Sequence, residues 1–174
     1  MDHILASAAL VPDFAPVPLD SLVLVDGEFG ANTPVDLALG ESPSEALAVF
    51  VADPFPGRAP LPVVPMEALA RHSDLLFAAQ TRRTLRALEQ LWSLRGDAAP
   101  GSWYWVEYEP PPEEELSLKD YAFSETILHQ RWTRGRHDME AAIALYEAYP
   151  PEGPGLRLHG PVRGARLSSP GDLT

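Results

Sequence analysis

Leu22-Val23-Leu24-Val25 runs directly into Asp26-Gly27, and Asn32-Thr33-Pro34 follows. Four apolar residues, two of them β-branched and closed by Asp-Gly, predict a short buried strand. A carboxylate at the exit of such a strand is rigidly held and partly desolvated. In open α/β sheets ligands bind beyond the carboxyl ends of the strands, so Asp26 stands where a catalytic carboxylate would stand. Gly27 would let a substrate or a second backbone approach closely. Asp-Gly also serves as an ordinary strand terminator, so a plain turn is the competing reading.

Other chemistry-bearing residues are sparser. There is no cysteine, which excludes a disulfide, a thiolate nucleophile and a Cys metal site. His129 and His137 are eight residues apart, about two helical turns, too far to share one metal ion without a further ligand. They read as a solvated helix surface, and no metal or cofactor is implied. Thr81-Arg82-Arg83-x-x-Arg86 is a basic cluster. It suits a phosphate or head group, or a solvated face pairing with Glu67 and Glu89. Trp103-Tyr104-Trp105 reads as an interfacial aromatic belt or as half core and half cover for a neighbouring helix.

The elements that must position these residues are cut out by 19 prolines in clusters. Residues 4–10 read as the tail of a helix, and Val11 to Pro18 as extended chain. Thr33 caps a short helix with Pro34 at its first position, ended by Gly40. Ser42 with Glu45 three residues on reads as a helix N-terminus or loop. Ala46 to Ala52 is a second buried strand, and unbroken apolar runs of this kind fit a parallel sheet covered on both faces. Asp53 to Pro65 is a Pro-rich loop. Met66 to Leu94 carries the longest helical pattern, through Leu69, Leu76, Phe77, Leu85, Leu88, Leu91 and Trp92, with Gly96 ending it. Trp103 to Glu109 is a strand, expected at a sheet edge. Pro110 to Glu115 is a stiff spacer. A last helix is predicted from Ser124 as N-cap to about Tyr149, with Leu128, Trp132, Met139, Ala142, Ile143 and Tyr146 on one stripe and Gly135 within it. Residues 150–174 read as a poorly ordered Pro/Gly-rich tail.

Asp26-Gly27-x-x-x-x-Asn32-x-Pro34 after an apolar strand resembles the Asp-Gly block of the patatin-like phospholipases. Upstream, Leu5-Ala6-Ser7-Ala8-Ala9-Leu10-x-Pro12-x-Phe14-x-Pro16-Val17 is similar to the segment that precedes that block. Asp53-Pro54-Phe55-Pro56-Gly57-Arg58-x-Pro60-Leu61-Pro62, Lys119-Asp120-Tyr121-x-Phe123-Ser124 and Arg131-Trp132-x-x-Gly135-x-x-Asp138 resemble the C-terminal extension of a bacterial subgroup. The resemblance covers roughly residues 4 to 148, with its blocks in the family's order.

That resemblance implies an α/β fold. Residues 1–65 would be the C-terminal part of a three-layer α/β/α catalytic domain, residues 66–149 a helical extension with one aromatic strand, and residues 150–174 the tail. It implies a lipid acyl ester hydrolase with a Ser–Asp dyad, in which Asp26 matches the aspartate and Gly27 the glycine beside it. Asn32 and Pro34 match the structural turn that follows. Glu28 departs from the small residue usual there. The family's Gly-x-Ser-x-Gly nucleophile and Gly-rich oxyanion loop do not occur in the sequence. The closest match, Gly40-Glu41-Ser42-Pro43-Ser44, ends in serine. The chain is therefore expected to resemble the C-terminal half of such a protein, inactive on phospholipid or other acyl esters unless another chain supplies the N-terminal half. The alternative is a non-catalytic remnant that binds lipid or protein. A chance likeness in an acidic interaction module is a third reading.

Composition narrows the partners. With 25 Asp and Glu against 13 Lys and Arg, the net charge is −12, which opposes nucleic-acid binding. No run of about 18 apolar residues is present, so no transmembrane helix is expected. The reading places the chain in the cytoplasm, with a peripheral membrane location as the variant.

Overall fold

The computed structural model describes residues 1–39, 46–94, 101–108, 124–153 and 155–162. Its elements run α1 (Asp2–Ala6), β1 (Val17–Leu19), β2 (Leu22–Leu24), α2 (Glu28–Ala31), α3 (Val35–Leu39), β3 (Leu47–Asp53), α4 (Pro65–Ser93), β4 (Gly101–Glu107), α5 (Glu125–Ala148) and β5 (Leu156–Val162). The fold is α/β, as expected.

The centre is a parallel three-stranded sheet in the order β3-β4-β5. Parallel neighbours cannot be joined by a tight turn, so each step needs a crossover, and α4 and α5 lie in those two crossovers. Every residue of β4 is buried. Alternation sends its side chains to opposite faces. Trp103 and Trp105 pack with Val51, Leu85, Trp92 and Leu156 on the α4 side. Tyr104 and Val106 pack with Ala142 and Val162 on the α5 side. The aromatic strand expected at an edge is thus the central one. Its charged end, which suggested solvent, is buried by an ion pair described below.

Local chemistry sets the helix ends. Pro65 opens α4 with its missing N–H where none is needed, and Glu67 Oε2 accepts from the Val63 and Val64 N–H groups at 2.8 and 3.4 Å. Ser124 caps α5, its Oγ accepting from the Ile127 N–H at 3.4 Å. At the far end of α5, the Tyr104 hydroxyl donates to the Tyr149 carbonyl at 2.7 Å. The stretch read as a tail from residue 150 is corrected here. Leu156–Val162 forms β5, with His159 stacked on Tyr104 at 5.1 Å and on Tyr149 at 5.8 Å. Burial pushes the His159 imidazole down, and nearby Arg157 adds to this. Gly160, at φ 118°, sits where the β4–β5 register slips, and a Cβ there would collide with the Trp105 carbonyl oxygen. Because β3 pairs along its whole length with β4, the sheet crosses the boundary drawn at residue 65.

Two further expectations change. Leu22–Val25 is not a buried strand. β2 pairs with β1 in an antiparallel hairpin, turning through Asp20 at φ 51°, and Leu22 and Val23 are 61% and 70% exposed. The predicted apolar stripe of α5 is mostly exposed, with Trp132 76% exposed and only Ala142 of its members buried, although Tyr146 still packs edge-on against Tyr104 at 5.7 Å. The inward face instead carries Arg131, Arg134 and Asp138. The expected ends at Gly40 and Gly96, the Ser42–Glu45 turn, the Pro110 to Glu115 spacer, the Lys119-Asp120-Tyr121 block and residues 163–174 lie outside the described residues.

Trp103→Ala should lower stability by about 3–5 kcal/mol, the range for a deleted core tryptophan. Trp132→Ala should stay within about 0.5 kcal/mol. Urea titration of both variants against the parent checks the inverted face of α5.

Candidate functional site

Asp26 follows β2 by two residues and is half-buried. Its N–H donates to the Ala9 carbonyl at 3.1 Å, which ties the residue to the end of the α1 segment. Its Oδ1 accepts from the Glu28 N–H at 2.9 Å. This is an Asx turn, in which the side chain imitates a backbone carbonyl and starts α2. Gly27 is exposed, and a Cβ there would meet nothing within 4 Å, so among the described residues no group makes the close approach its smallness allows.

Asn32 and the residues beside it anchor this turn to α4. The Asn32 N–H donates to Gln80 Oε1 at 3.3 Å, and the Thr33 and Thr81 hydroxyls meet at 2.8 Å in a buried contact. Pro34 is exposed and directs the chain into α3, whose first residue, Val35, is buried with Val51 and Leu85.

A second set of polar groups lies at the carboxyl ends of β3 and β4. Asp53 and Glu107 are register partners on the adjacent strands, each 1% exposed. Glu107 accepts a hydrogen bond from Arg82 at 3.1 Å and one from the Gly57 N–H. The Arg82 guanidinium also lies over the Trp105 ring, 5.7 Å from its centroid. Arg71 reaches over to the Pro56 and Gly57 carbonyls at 2.6 and 2.9 Å, fixing the loop after β3. Arg82 therefore neutralises a buried carboxylate rather than pairing with Glu67 or Glu89, while Arg83 and Arg86 are exposed.

Asp53 Oδ1 accepts from the Phe55 N–H at 3.1 Å, and Oδ2 is buried with no hydrogen-bond partner within 3.5 Å in good geometry among the described residues. Burial pushes its carboxyl up to about 6. The Phe55 N–H, the Thr81 hydroxyl and the Trp105 indole oppose that shift, and the Glu107 charge adds to it.

Beside these strand ends opens a cavity of about 730 Å³. Ala52, Asp53, Pro54 and Phe55 supply one wall, and Val106 and Tyr108 the floor. Arg131, Gly135, Asp138 and Met139 line it from one face of α5, and Glu28 and Asn32 from the turn after Asp26. Three of the segments singled out in the sequence thus converge on one hollow. Asp26 itself is not among its lining residues. Among the described residues, no group of three His, Asp or Glu side chains is placed to hold a metal ion. No helix there is long and apolar enough to cross a membrane. No family model, curated protein or solved structure matches the chain.

Sequence reasoning put weight on the carboxylate after β2 and passed over the carboxylates that end β3 and β4. The signal was the same: Ala-Val-Phe-Val-Ala runs into Asp53, and Trp-Tyr-Trp-Val into Glu107.

Asp53→Asn tests the buried carboxyl. Its folded-state value of about 6 stands above the unfolded 3.8, so the folded chain binds the proton more tightly. The group therefore favours folding below pH 4, and that benefit is lost as pH rises through 6. At pH 7.5 the replacement should stabilise the fold by about 1–3 kcal/mol, an amount consistent with a shift of this size. The gain should vanish near pH 3.5, as read by denaturant midpoints at both pH values.

Proposed function

We propose that this chain is the aspartate-bearing, C-terminal part of a patatin-like acyl hydrolase with a three-layer α/β/α domain. It would act on phospholipid or other acyl esters once a second polypeptide segment supplies the serine and the oxyanion donors. The observation that carries this reading is the Asx turn at Asp26. One carboxylate oxygen is fixed by the Glu28 N–H, and the other, without a hydrogen bond among the described residues, would take a hydroxyl donor.

In that role Asp26 accepts the hydrogen bond of the serine hydroxyl and takes its proton as the oxygen attacks the ester carbonyl carbon. The proton then passes to the leaving alcohol as the carbonyl–oxygen ester bond breaks, and water later hydrolyses the acyl-serine. The apolar side chains around the turn support a covered surface, since Leu22, Val23, Val25 and Phe29 are all exposed.

A second reading draws on α5. Leu128, Trp132, Ile143 and Tyr146 form an exposed stripe suited to a lipid surface or a protein groove, with no catalysis required.

The chain should be co-expressed with a segment carrying a patatin-like Gly-x-Ser-x-Gly elbow and Gly-rich loop, and p-nitrophenyl butyrate hydrolysis measured. The chain alone should show no turnover above buffer. The pair should be active, and Asp26→Asn should lower its rate by about 10²–10⁴-fold, the usual range for a positioned proton acceptor. Undiminished turnover in Asp26→Asn would reject the dyad role. Liposome flotation of the chain alone, lost in Trp132→Glu, would favour the second reading.

A further inference from the structure

The two edges of the central sheet differ. The Tyr108 N–H donates to the Asp53 carbonyl at 2.8 Å, so Asp53 and every second residue before it turn their main-chain groups toward β4. The N–H and C=O groups of Ala48, Phe50 and Ala52 therefore point the other way, and among the described residues no strand pairs with them. Natural edge strands ordinarily carry a charge, a proline or a bulge that blocks a further strand. β5, the opposite edge, has Arg157, Pro161 and a register slip. β3 has none of these from Leu47 to Ala52.

The neighbouring helix is shaped for the same opening. At about 100° per residue, Ile143 and Tyr146 lie on average about a quarter turn round α5 from the buried Asp138 and Ala142. They point sideways along the sheet rather than away from it. Tyr146 meets Phe50 with ring centroids 6.1 Å apart, so sideways is toward the β3 edge. The outermost face of α5 is polar instead, with Arg136 and Glu140 paired at 3.3 Å. A helix lying on a membrane would need its apolar residues on that outer face. Phe50, Ile143 and Tyr146, each between 38% and 43% exposed, form one continuous apolar step with the strand edge.

A second copy of this chain complements that step. A two-fold axis perpendicular to the sheet at Phe50 sets β3 antiparallel to its equivalent, with Ala48 opposite the partner's Ala52 and Phe50 opposite the partner's Phe50. Every outward main-chain group of these three residues then finds a hydrogen bond. No charged side chain from 47 to 52 enters the pairing, despite the net charge of −12 per chain. The same axis keeps α5 and its copy on one face of the joined sheet, so the sideways Ile143 and Tyr146 of each approach the other. Edges and side chains together would hide on the order of 1,000 Å² over both copies, the low end for a specific interface. We propose that the chain forms a two-fold dimer through β3 and the C-terminal half of α5. The dimer uses neither Asp26 nor a serine, so it stands or falls separately from the acyl-hydrolase reading, and it covers two residues that the second reading gives to a lipid surface or a protein groove.

Sedimentation equilibrium of the full chain from about 1 to 200 µM tests it. The weight-average mass should rise from 19.0 kDa toward twice that value, with a dissociation constant on the order of 10 µM, as suits a small interface. Ala48→Pro removes only an outward N–H, so the bonds to β4 are kept. Ile143→Glu places a charge on an exposed helix position. Each should weaken the dimer at least about tenfold while the circular dichroism spectrum stays that of the parent. Trp132→Glu, about 20 Å along α5 from Tyr146 and past the carboxyl end of β3, should leave the dimer unchanged. If Ala48→Pro does not fold, Ile143→Glu decides alone. The proposal is overturned by a chain that stays monomeric at the highest concentration, by a dimer that survives either substitution in a folded chain, or by a dimer lost in Trp132→Glu.

Discussion

The pairing of β4 with a parallel strand on each side is the constraint on which the rest of the structure depends. A central parallel strand has both faces covered and both edges hydrogen-bonded, so all seven of its residues are buried. That burial extends to its last residue, Glu107, a carboxylate. The fold accommodates the charge with the Arg82 guanidinium from α4 and the Gly57 N–H from the loop after β3. The ion pair thereby ties α4, that loop and the carboxyl edge of the sheet together. Removing Arg82 alone would leave the Glu107 charge buried without its guanidinium, a more damaging change than losing the pair as a whole.

Regular periodicity made much of this fold legible. α4 and α5 follow from their spacing, the Ser124 cap is where the sequence puts it, and β3 is a parallel strand as expected, although within 46–52 only Val51 is buried. What failed has physical reasons. β5 contains Arg157, His159, Gly160 and Pro161, residues that signal turns in an isolated strand. They are tolerated here because Gly160 occupies a register slip and His159 stacks on two tyrosines. β4 looked like an edge because it ends in Glu107, and the neutralising arginine lies 25 residues upstream in another element. Leu22–Val25 looked buried because apolar content alone was read. Such a run stays exposed when its only sheet partner is a three-residue hairpin strand.

The α5 stripe carries a different lesson. Periodicity located the stripe, but it cannot say which side of a helix meets the sheet when the flank beside the stripe carries Arg131, Asp138 and the small Ala141, next to Ala142, the stripe's own small member. Small residues let α5 approach Tyr104 and Val106 closely at its C-terminal end. Toward its N-terminal end Gly135 leaves a gap instead. One helix face thus packs tightly at one end and opens into the cavity at the other. Patterns of hydrophobicity do not distinguish these two uses of a missing side chain, because the difference lies in what faces it across the space.

The candidate aspartate and the cavity are joined through very few atoms. Asp26 Oδ1 is held by the N–H of Glu28, whose own residue lines the cavity. Four residues on, Asn32 lines the cavity and bonds to Gln80, and the neighbouring Thr33 hydroxyl meets Thr81, on the same face of α4 as Phe77 and Leu85. The short helix α2 is therefore suspended between the Asx turn at one end and α4 at the other. It has only four residues and no buried side chain of its own. Isolated helices of that length are not self-supporting, so its position depends on those end contacts.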